Sequence, residues 1–130
     1  MDLKRLDKVF SSYIRLRDSD DNGIVRCFCC GKVDHYKTMD CSHFVNRKHL
    51  SLRFNEINCQ TTCRACNRFD EGNLPAFAIN LQNKFGNDII QKLLISKNNY
   101  TKLSQFDIDT LEKYYKMKIK ELLLNKGLKP

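Results

Sequence analysis

Four cysteines stand in two pairs at a spacing that suits a metal ion. Cys27 and Cys30 form the first pair, and Cys63 and Cys66 form the second, each with two residues between the thiols. A tight turn at this spacing directs both sulfurs of a pair toward one ion, and four thiolates complete a closed tetrahedral zinc site. Because such a site has no open position for water or substrate, we predict that its zinc is structural.

The remaining cysteines do not change this prediction. The chain has seven cysteines, an odd number that fits a disulfide framework poorly. Cys29 interrupts the first pair, although Cys27 with Cys30 keeps the spacing. We interpret Cys41 and Cys59 as core residues that face each other across a hairpin. Buried thiols without metal are the alternative for the two pairs, but their matched spacing disfavours it.

A series of polar motifs lies between and after the cysteine pairs. They are DCSHFVNR at 40–47, RFNEIN at 53–58, CRACN at 63–67, EGN at 71–73 and KFG at 84–86. A histidine that ends a strand, an asparagine on the next strand and a polar residue that starts a helix resemble the HNH/HNN nucleases of the ββα-metal class. In order and spacing, the motifs more closely resemble the phage lambda NinG (Rap) recombination-nuclease family, over about residues 5 to 86.

The resemblance implies roles for two of these residues. To cleave a phosphodiester, a base must deprotonate a water molecule in line with the leaving oxygen, and a divalent cation must neutralise the charge on that oxygen. His43 is the predicted base, because a neutral imidazole can accept a proton at neutral pH. By analogy with the central asparagine of the family motif, Asn58 would hold His43 or its loop in position.

The same resemblance implies a second, catalytic cation. Asn67, at the start of a helix after the second cysteine pair, would offer its side-chain oxygen to Mg²⁺ or Mn²⁺, which prefer oxygen ligands. Many HNH enzymes carry an acidic or histidine ligand immediately before the base, whereas this chain has Ser42 there. Asp40 shares the Ser42 side of a strand and is a candidate second ligand, with Asp70 and Glu71 as rivals.

The composition indicates a polyanionic partner. Lys and Arg number 23 against 15 Asp and Glu, a formal net charge of +8, and nucleic acid is the usual partner of such a surface. A solvated basic surface is the alternative. The candidates for phosphate contact, chosen because they surround the predicted site in sequence, are Arg47, Lys48, Arg53, Arg64 and Arg68. For Arg53, the alternative to a phosphate contact is an ion pair with Glu56.

Hydrophobic spacing predicts helices at both ends of the chain. Leu6, Phe10, Tyr13 and Ile14 share one helical face, with Asp2 as a candidate cap. Phe77, Leu81 and Phe85 form a second helix that Gly86 ends. The last helix ends at Gly127 and carries a stripe that is either core or a dimer face, made of Ile108, Leu111, Tyr115, Ile119 and Leu122.

These elements predict a single α+β domain over residues 1–130. We expect an N-terminal helix at 1–17, a ββα-metal (HNH-like) nuclease core held together by zinc at 24–86, and a helical C-terminal extension at 87–130. The first residues lack the apolar run of a signal peptide, and no window approaches the roughly 20 apolar residues of a membrane span. We therefore expect no membrane partner and a cytoplasmic protein. The resemblance implies that the protein is phage-encoded and acts in a bacterial host cell.

The resemblance implies a metal-dependent endodeoxyribonuclease that cuts branched DNA, such as Holliday junctions or D-loops, in phage recombination. Enzymes of this kind often act on DNA as homodimers, so a homodimer is an option here. Two other functions stay open. One is a general HNH endonuclease that cuts linear duplex DNA as readily as a junction. The other is a zinc-containing nucleic-acid-binding module without catalysis, which Ser42 in a ligand position favours.

Overall fold

The computed structural model describes residues 3–130. Five α-helices and four short strands follow one another, with a 3₁₀ turn after β2 and a π-helical turn after β4: α1 Lys4–Asp18, β1 Ile24–Arg26, β2 Val33–His35, the 3₁₀ turn Tyr36–Thr38, β3 Asp40–His43, α2 Leu50–Arg53, β4 Cys59–Thr62, the π turn Ala65–Phe69, α3 Leu74–Phe85, α4 Ile89–Lys97 and α5 Gln105–Lys126. The predicted α+β class is confirmed. Asp2, the candidate cap, lies outside the described residues.

The strands form two separate antiparallel pairs. β1 pairs with β2, and β3 pairs with β4. In the second pair, Asp40 lies opposite Thr62 and His43 lies opposite Cys59. All four residues of β4 are buried, and the strand contacts α1 and β1 as well as β3. The β3–β4 pair therefore packs against α1, the helix that also contacts α5.

The N-terminal helix packs in the middle of the first hydrophobic core. Leu6, Phe10 and Ile14 are almost fully buried, as their spacing predicted. The ring of Phe10 contacts Phe54 edge-on at 5.6 Å and Tyr115 of α5 at 4.9 Å between centroids. Such apolar and aromatic contacts stabilise the pairing of two helices that are far apart in sequence.

The stripe of α5 faces this core within the same chain. Ile108 and Tyr115 are buried, and the other three stripe residues pack against the core around α1 or against the cluster that contains Cys27, Cys63 and Cys66. The core interpretation of the stripe is therefore confirmed. Gly127 ends α5 with φ +67°, a left-handed conformation that glycine adopts without strain. A homodimer through other surfaces stays a prediction.

A second core joins α2, α3 and α4. Phe77 and Leu81 of α3 are fully buried against Leu52 of α2 and Leu93 of α4. The side-chain amide of Asn80 donates a hydrogen bond of 2.6 Å to the carbonyl of Phe28, which ties α3 to the first cysteine loop. Within residues 3–130, no helix has the length and apolar character needed to cross a bilayer.

Replacing Phe77 with alanine tests the second core. Phe77 is fully buried, so Phe77→Ala should lower the free energy of unfolding by about 3–5 kcal/mol through lost burial and a cavity. Phe106 of α5 is 76% exposed, so Phe106→Ala should change stability by less than about 0.5 kcal/mol. Urea denaturation followed by circular dichroism measures both, and equal costs would contradict this description of the core.

Candidate metal centre and nucleic-acid site

The two cysteine pairs come together in space. The four sulfur atoms of Cys27, Cys30, Cys63 and Cys66 all lie within 4.8 Å of one another. The Sγ atoms of Cys30 and Cys63 are 3.7 Å apart, close to the roughly 3.8 Å that a tetrahedral site with zinc–sulfur bonds of about 2.3 Å requires. The four cysteines therefore fit a metal ion such as zinc, and all seven cysteines of the chain are free thiols.

Each pair sits in a turn whose backbone points N–H groups at sulfur. The amide of Cys30 donates to Sγ of Cys27, and the amide of Cys66 donates to Sγ of Cys63, both at 3.5 Å. Hydrogen bonds from the Cys29 thiol and from backbone amides lower the pKa of Cys27 to about 3. Cys29 lies outside the group of four, so the spacing of Cys27 with Cys30 identified the correct first pair.

The second cysteine turn continues directly into the segment that carries Asn67. The amide of Asn67 donates to the carbonyl of Cys63 at 3.1 Å. The side chain of Asn67 lies between two residues of β3: its Nδ2 donates to Asp40 at 3.0 Å, and its Oδ1 accepts from Ser42 at 2.7 Å. Ser42 also shares a short hydrogen bond with Thr62 across the strand pair. The metal cluster thus fixes the backbone of Asn67, and β3 fixes its side chain.

The expected helix at Asn67 is replaced by a single π turn. Residues Ala65–Phe69 form this turn, and α3 begins only at Leu74. Between them, Glu71, Gly72 and Asn73 all have positive φ values of 49°, 83° and 48°, which an α-helix cannot contain. The predicted helix start at Asn67 is therefore limited to this one π turn, because the chain reverses direction before α3 begins.

Asp40 is bound by an arginine from the π turn. Arg68 donates two hydrogen bonds to the carboxylate, at 2.9 and 3.0 Å, and Arg64 lies 4.0 Å away. Burial acts to raise the pKa of Asp40, but the hydrogen bonds from Arg68 and Asn67 outweigh it and lower the pKa. Asp40 is therefore ionised at neutral pH, beside the Asn67 amide.

His43 ends β3 with its ring held by a backbone carbonyl. Its Nε2 lies 2.9 Å from the carbonyl oxygen of Arg53. Because a carbonyl only accepts hydrogen bonds, Nε2 carries the proton, and the neutral ring keeps its lone pair on Nδ1. Burial lowers the pKa of His43, with further lowering by Arg47 and Arg53, against the opposing effects of the Arg53 carbonyl and Asp7. The ring is therefore neutral at pH 7 and able to accept a proton at Nδ1.

Asn58 is fully buried and holds the loop that follows β3. Its Oδ1 accepts from the amide of Val45 at 2.8 Å, and its Nδ2 donates to the carbonyls of Val45 and Leu52 at 3.0 and 3.1 Å. Val45 comes two residues after His43, and Leu52 comes one residue before Arg53. Asn58 therefore holds together the backbone after His43 and the backbone before Arg53. This keeps the His43 ring within hydrogen-bond distance of the Arg53 carbonyl.

Sequence reasoning missed the acidic residue of this region, Asp7. The Arg53 guanidinium binds the Asp7 carboxylate in a two-point ion pair, with distances of 2.9 and 2.5 Å, while Arg47 lies 3.9 Å from the same carboxylate. The partner of Arg53 is thus Asp7 and not Glu56, which accepts a hydrogen bond from Tyr13. The 46 residues between Asp7 and Arg53 left no local signal for this pair.

These side chains surround an open cavity of about 500 Å³ between α1, β3 and the π turn. Asp40, His43 and Asn67 all line it. Five basic residues do so as well, namely Lys4, Lys8, Arg47, Arg53 and Arg68. Three predicted phosphate contacts are therefore in the lining, α1 adds two lysines that the sequence did not single out, and Lys48 and Arg64 lie outside the lining.

Comparison with known proteins decides the family. The family model described as "Bacteriophage Lambda NinG protein" matches residues 3–125. The chain belongs to the NinG family. Proteins named "Protein ninG" from Escherichia phage 933W and Escherichia phage lambda are each 26% identical to it over 121 residues, 92% of this chain. The aligned part is 57% and 56% of those two NinG proteins, so the chain spans little more than half of their length. No solved structure matches.

NinG membership confirms the resemblance that the motifs indicated. The matched region extends to residue 125, well beyond residue 86, where the quoted motifs end. It therefore includes α4 and α5, whose packing against α2, α3 and α1 completes the domain around the site.

Loss of the metal should destabilise this NinG domain. We expect one zinc ion per chain by mass spectrometry, and we expect chelation or Cys63→Ser to lower the Tm by roughly 10 °C or more, because structural zinc binding contributes directly to folding. Cys41→Ser, at a cysteine outside the cluster, should keep the zinc. A metal-free protein with an unchanged Tm would contradict the assignment.

The His43 ring can be titrated by NMR. We expect a neutral Nε2–H tautomer at pH 7 and protonation below pH 6.5, because burial lowers the pKa from that value. The folded state then binds fewer protons than the unfolded state, so the contribution of His43 to stability is complete above about pH 6.5 and falls as the pH drops through that value. Titration above pH 6.5, or a proton on Nδ1 in the neutral ring, would contradict this geometry.

Proposed function

We propose that this NinG-family chain is a metal-dependent endodeoxyribonuclease that cuts branched DNA, such as Holliday junctions and D-loops, during phage recombination in the host cytoplasm. The observation that carries the proposal is the neutral His43 ring, held through Nε2 by the Arg53 carbonyl in a cavity with a surplus of basic side chains. A base of this kind beside phosphate-binding groups suits phosphodiester hydrolysis.

The protein's own groups explain how the base would act. Nδ1 of His43 takes a proton from the attacking water, and the imidazolium that forms keeps its Nε2–H bond to the Arg53 carbonyl. Although burial lowers the pKa of His43 overall, the Asp7 carboxylate acts in the opposite direction. Asp7 therefore favours the protonated ring once the proton has moved. Asn58 keeps the His43 ring and the Arg53 carbonyl in position relative to each other by holding the backbone of Val45 and Leu52.

The oxygen atoms next to the base fit a hard divalent cation. Asn67 offers Oδ1, and Asp40 offers an ionised carboxylate 3.0 Å from the Asn67 amide. Mg²⁺ and Mn²⁺ accept one or two protein oxygens and complete their shell with water and phosphate. A cation held there would stabilise negative charge on the leaving oxygen. The Arg68 ion pair with Asp40 must loosen for the carboxylate to take part, and the Asn67 oxygen, which accepts from Ser42, must use its second lone pair.

The arginines that line the cavity differ in how far their side chains are exposed to solvent. The Arg53 side chain is 18% exposed and fixed on Asp7, so it orients the site more than it reaches DNA. Arg47 and Arg68 are 64% and 53% exposed and line the cavity, and they are well placed to contact a DNA backbone bidentately. Arg64 and Lys48 extend this basic surface beyond the cavity.

A binding module without catalysis is the second candidate. Ser42 stands where many HNH enzymes carry a metal ligand, and here it is buried and donates to the Asn67 oxygen. That contact occupies part of the acceptor capacity that a cation would use. The basic surface would then bind DNA without hydrolysing it.

Cleavage of a four-way junction and a matched linear duplex tests the proposal. Both DNAs are end-labelled and incubated with wild type, His43→Ala, His43→Gln or His35→Ala, in Mg²⁺, Mn²⁺ or EDTA. We expect preferential, metal-dependent junction cleavage that falls about 100-fold or more in both His43 variants, because each lacks the base. Glutamine can still donate to the Arg53 carbonyl, so His43→Gln separates proton transfer from structure.

A histidine outside the candidate site, His35, provides the control variant, and each alternative function predicts its own outcome. His35 lies in β2 and pairs with Ile24 in the other sheet, so His35→Ala should keep cleavage. Anisotropy should show that all variants bind junction DNA with similar affinity. Equal cutting of junction and duplex would support a general HNH endonuclease, and firm, salt-sensitive binding without cutting by wild type would support the binding module.

A further inference from the structure

One aromatic residue beside the candidate site has no packing role. Phe69 is the last residue of the π turn and is 84% exposed. The same turn carries Asn67 and Arg68, which line the cavity. Because consecutive Cα atoms are about 3.8 Å apart, the Phe69 backbone lies within about 8 Å of that of Asn67. An exposed phenylalanine at this distance from a phosphate-binding cavity needs an explanation.

The segment that presents Phe69 is closed by several hydrogen bonds. The amide of Gly72 donates to the carbonyl of Cys66 at 3.0 Å, and the amide of Asn73 donates to that of Asp70 at 2.7 Å. The Asn73 side chain also donates to Sγ of Cys66 at 3.5 Å, within the metal cluster. Glu71 and Asn73 hold left-handed conformations, which persist only where their surroundings impose them. The structure therefore anchors both ends of the segment that exposes the ring.

Both signs of charge lie next to Phe69 in the chain. The half-exposed arginines Arg64 and Arg68 precede it, with side chains 54% and 53% exposed, and Asp70 and Glu71 follow it. Arginines beside an exposed aromatic ring are the combination that binds single-stranded or unstacked nucleic acid, because the charges hold the backbone and the ring stacks on a base. The adjacent cavity, lined by five basic side chains against two carboxylates, favours DNA over an apolar protein segment as the partner of this ring.

We propose that Phe69 stacks on an unpaired or unstacked base at the branch point and thereby gives the domain its preference for branched DNA. The inference rests on the proposed function for its choice of substrate. Bases inside a duplex already stack on both faces, so insertion of a ring there must break a stack. At a branch the stack is interrupted and the cost of exposing a base is lower. Phe69 would then distinguish junction from duplex without reading sequence.

Other exposed aromatic residues provide the comparison. Phe106 is 76% exposed on the first turn of α5 and does not line the cavity. It has the same side chain and nearly the same exposure as Phe69, but it lies outside the segment that carries Asn67 and Arg68. Phe106→Ala is therefore the matched control for loss of an exposed phenylalanine.

The test measures binding without added Mg²⁺ or Mn²⁺ and without a chelator, so that metal-dependent cleavage does not occur and the structural zinc is retained. A four-way junction and a duplex each carry 2-aminopurine, at the branch point and at the equivalent duplex position. Affinity is measured by anisotropy, and stacking on the base is followed by 2-aminopurine fluorescence. We expect Phe69→Ala to lose the fluorescence change and to bind the junction about 5- to 100-fold more weakly, with duplex affinity within about twofold of wild type. Phe69→Tyr and Phe106→Ala should behave as wild type, and Phe69→Leu should behave as Phe69→Ala.

The outcomes separate this inference from the proposed nuclease function. A junction-specific loss in Phe69→Ala supports the inference even when wild type cuts no DNA, because binding without added Mg²⁺ or Mn²⁺ needs no catalysis. Retained junction preference in Phe69→Ala overturns the inference even when wild type cuts junctions. An equal loss on junction and duplex also overturns it, as does a wild-type protein that binds both DNAs equally. Circular dichroism melts of each variant confirm that the fold is unchanged.

Discussion

The closure of the cysteine cluster is the constraint on which the rest of the domain depends. Cys30 and Cys63 are 33 residues apart in sequence, and their sulfurs lie 3.7 Å apart. The loop between them contains β2, β3, α2 and β4, so its closure places β3 and β4 beside each other and delivers Asn67 to the edge of β3. A short two-stranded sheet is marginal by itself, and here α1 and the cluster both support it. A bound metal would make this closure part of the folding free energy.

Charge pairing inside the cavity controls what the net charge of +8 can do. Both carboxylates in the lining have arginine partners, Asp40 with Arg68 and Asp7 with Arg53. The first pair is half exposed on its arginine side and can exchange partners with a phosphate at low cost. The second is largely buried, and removal of either partner would leave a charge without compensation. The same kind of ion pair is thus adaptable on one side of the cavity and fixed on the other.

Local patterns in the sequence predicted what depends on local geometry. The face of α1 with Leu6 and Phe10, the two cysteine turns and the glycine that ends α5 all follow from spacing and backbone preference within a few residues. The cluster of four cysteines followed from two identical spacings. The family resemblance placed His43 at the end of one strand, where the structure has it, and Asn58 on the next strand, whereas Asn58 lies immediately before β4.

Contacts between distant segments were beyond the reach of such patterns. The pair of Asp7 with Arg53 joins residues 46 apart, and nothing near either one specifies the other. The helix start at Asn67 was inferred from the family resemblance, while the reversal that follows the π turn depends on the amide of Gly72 reaching the carbonyl of Cys66. The sequence motifs assigned no role to Phe69, and only the fold shows that its ring is exposed.

For the nuclease reaction proposed above, the alternation of β3 bears on the direction of attack. Successive side chains of a strand point to opposite faces, so Asp40 and Ser42, which contact Asn67, lie on one face, and His43 lies on the other. A phosphodiester placed across the end of this strand would have its two reactive oxygens on opposite sides of phosphorus, one toward the imidazole and one toward the asparagine. In-line displacement would require this collinear arrangement, and a single residue step along an extended chain would favour it.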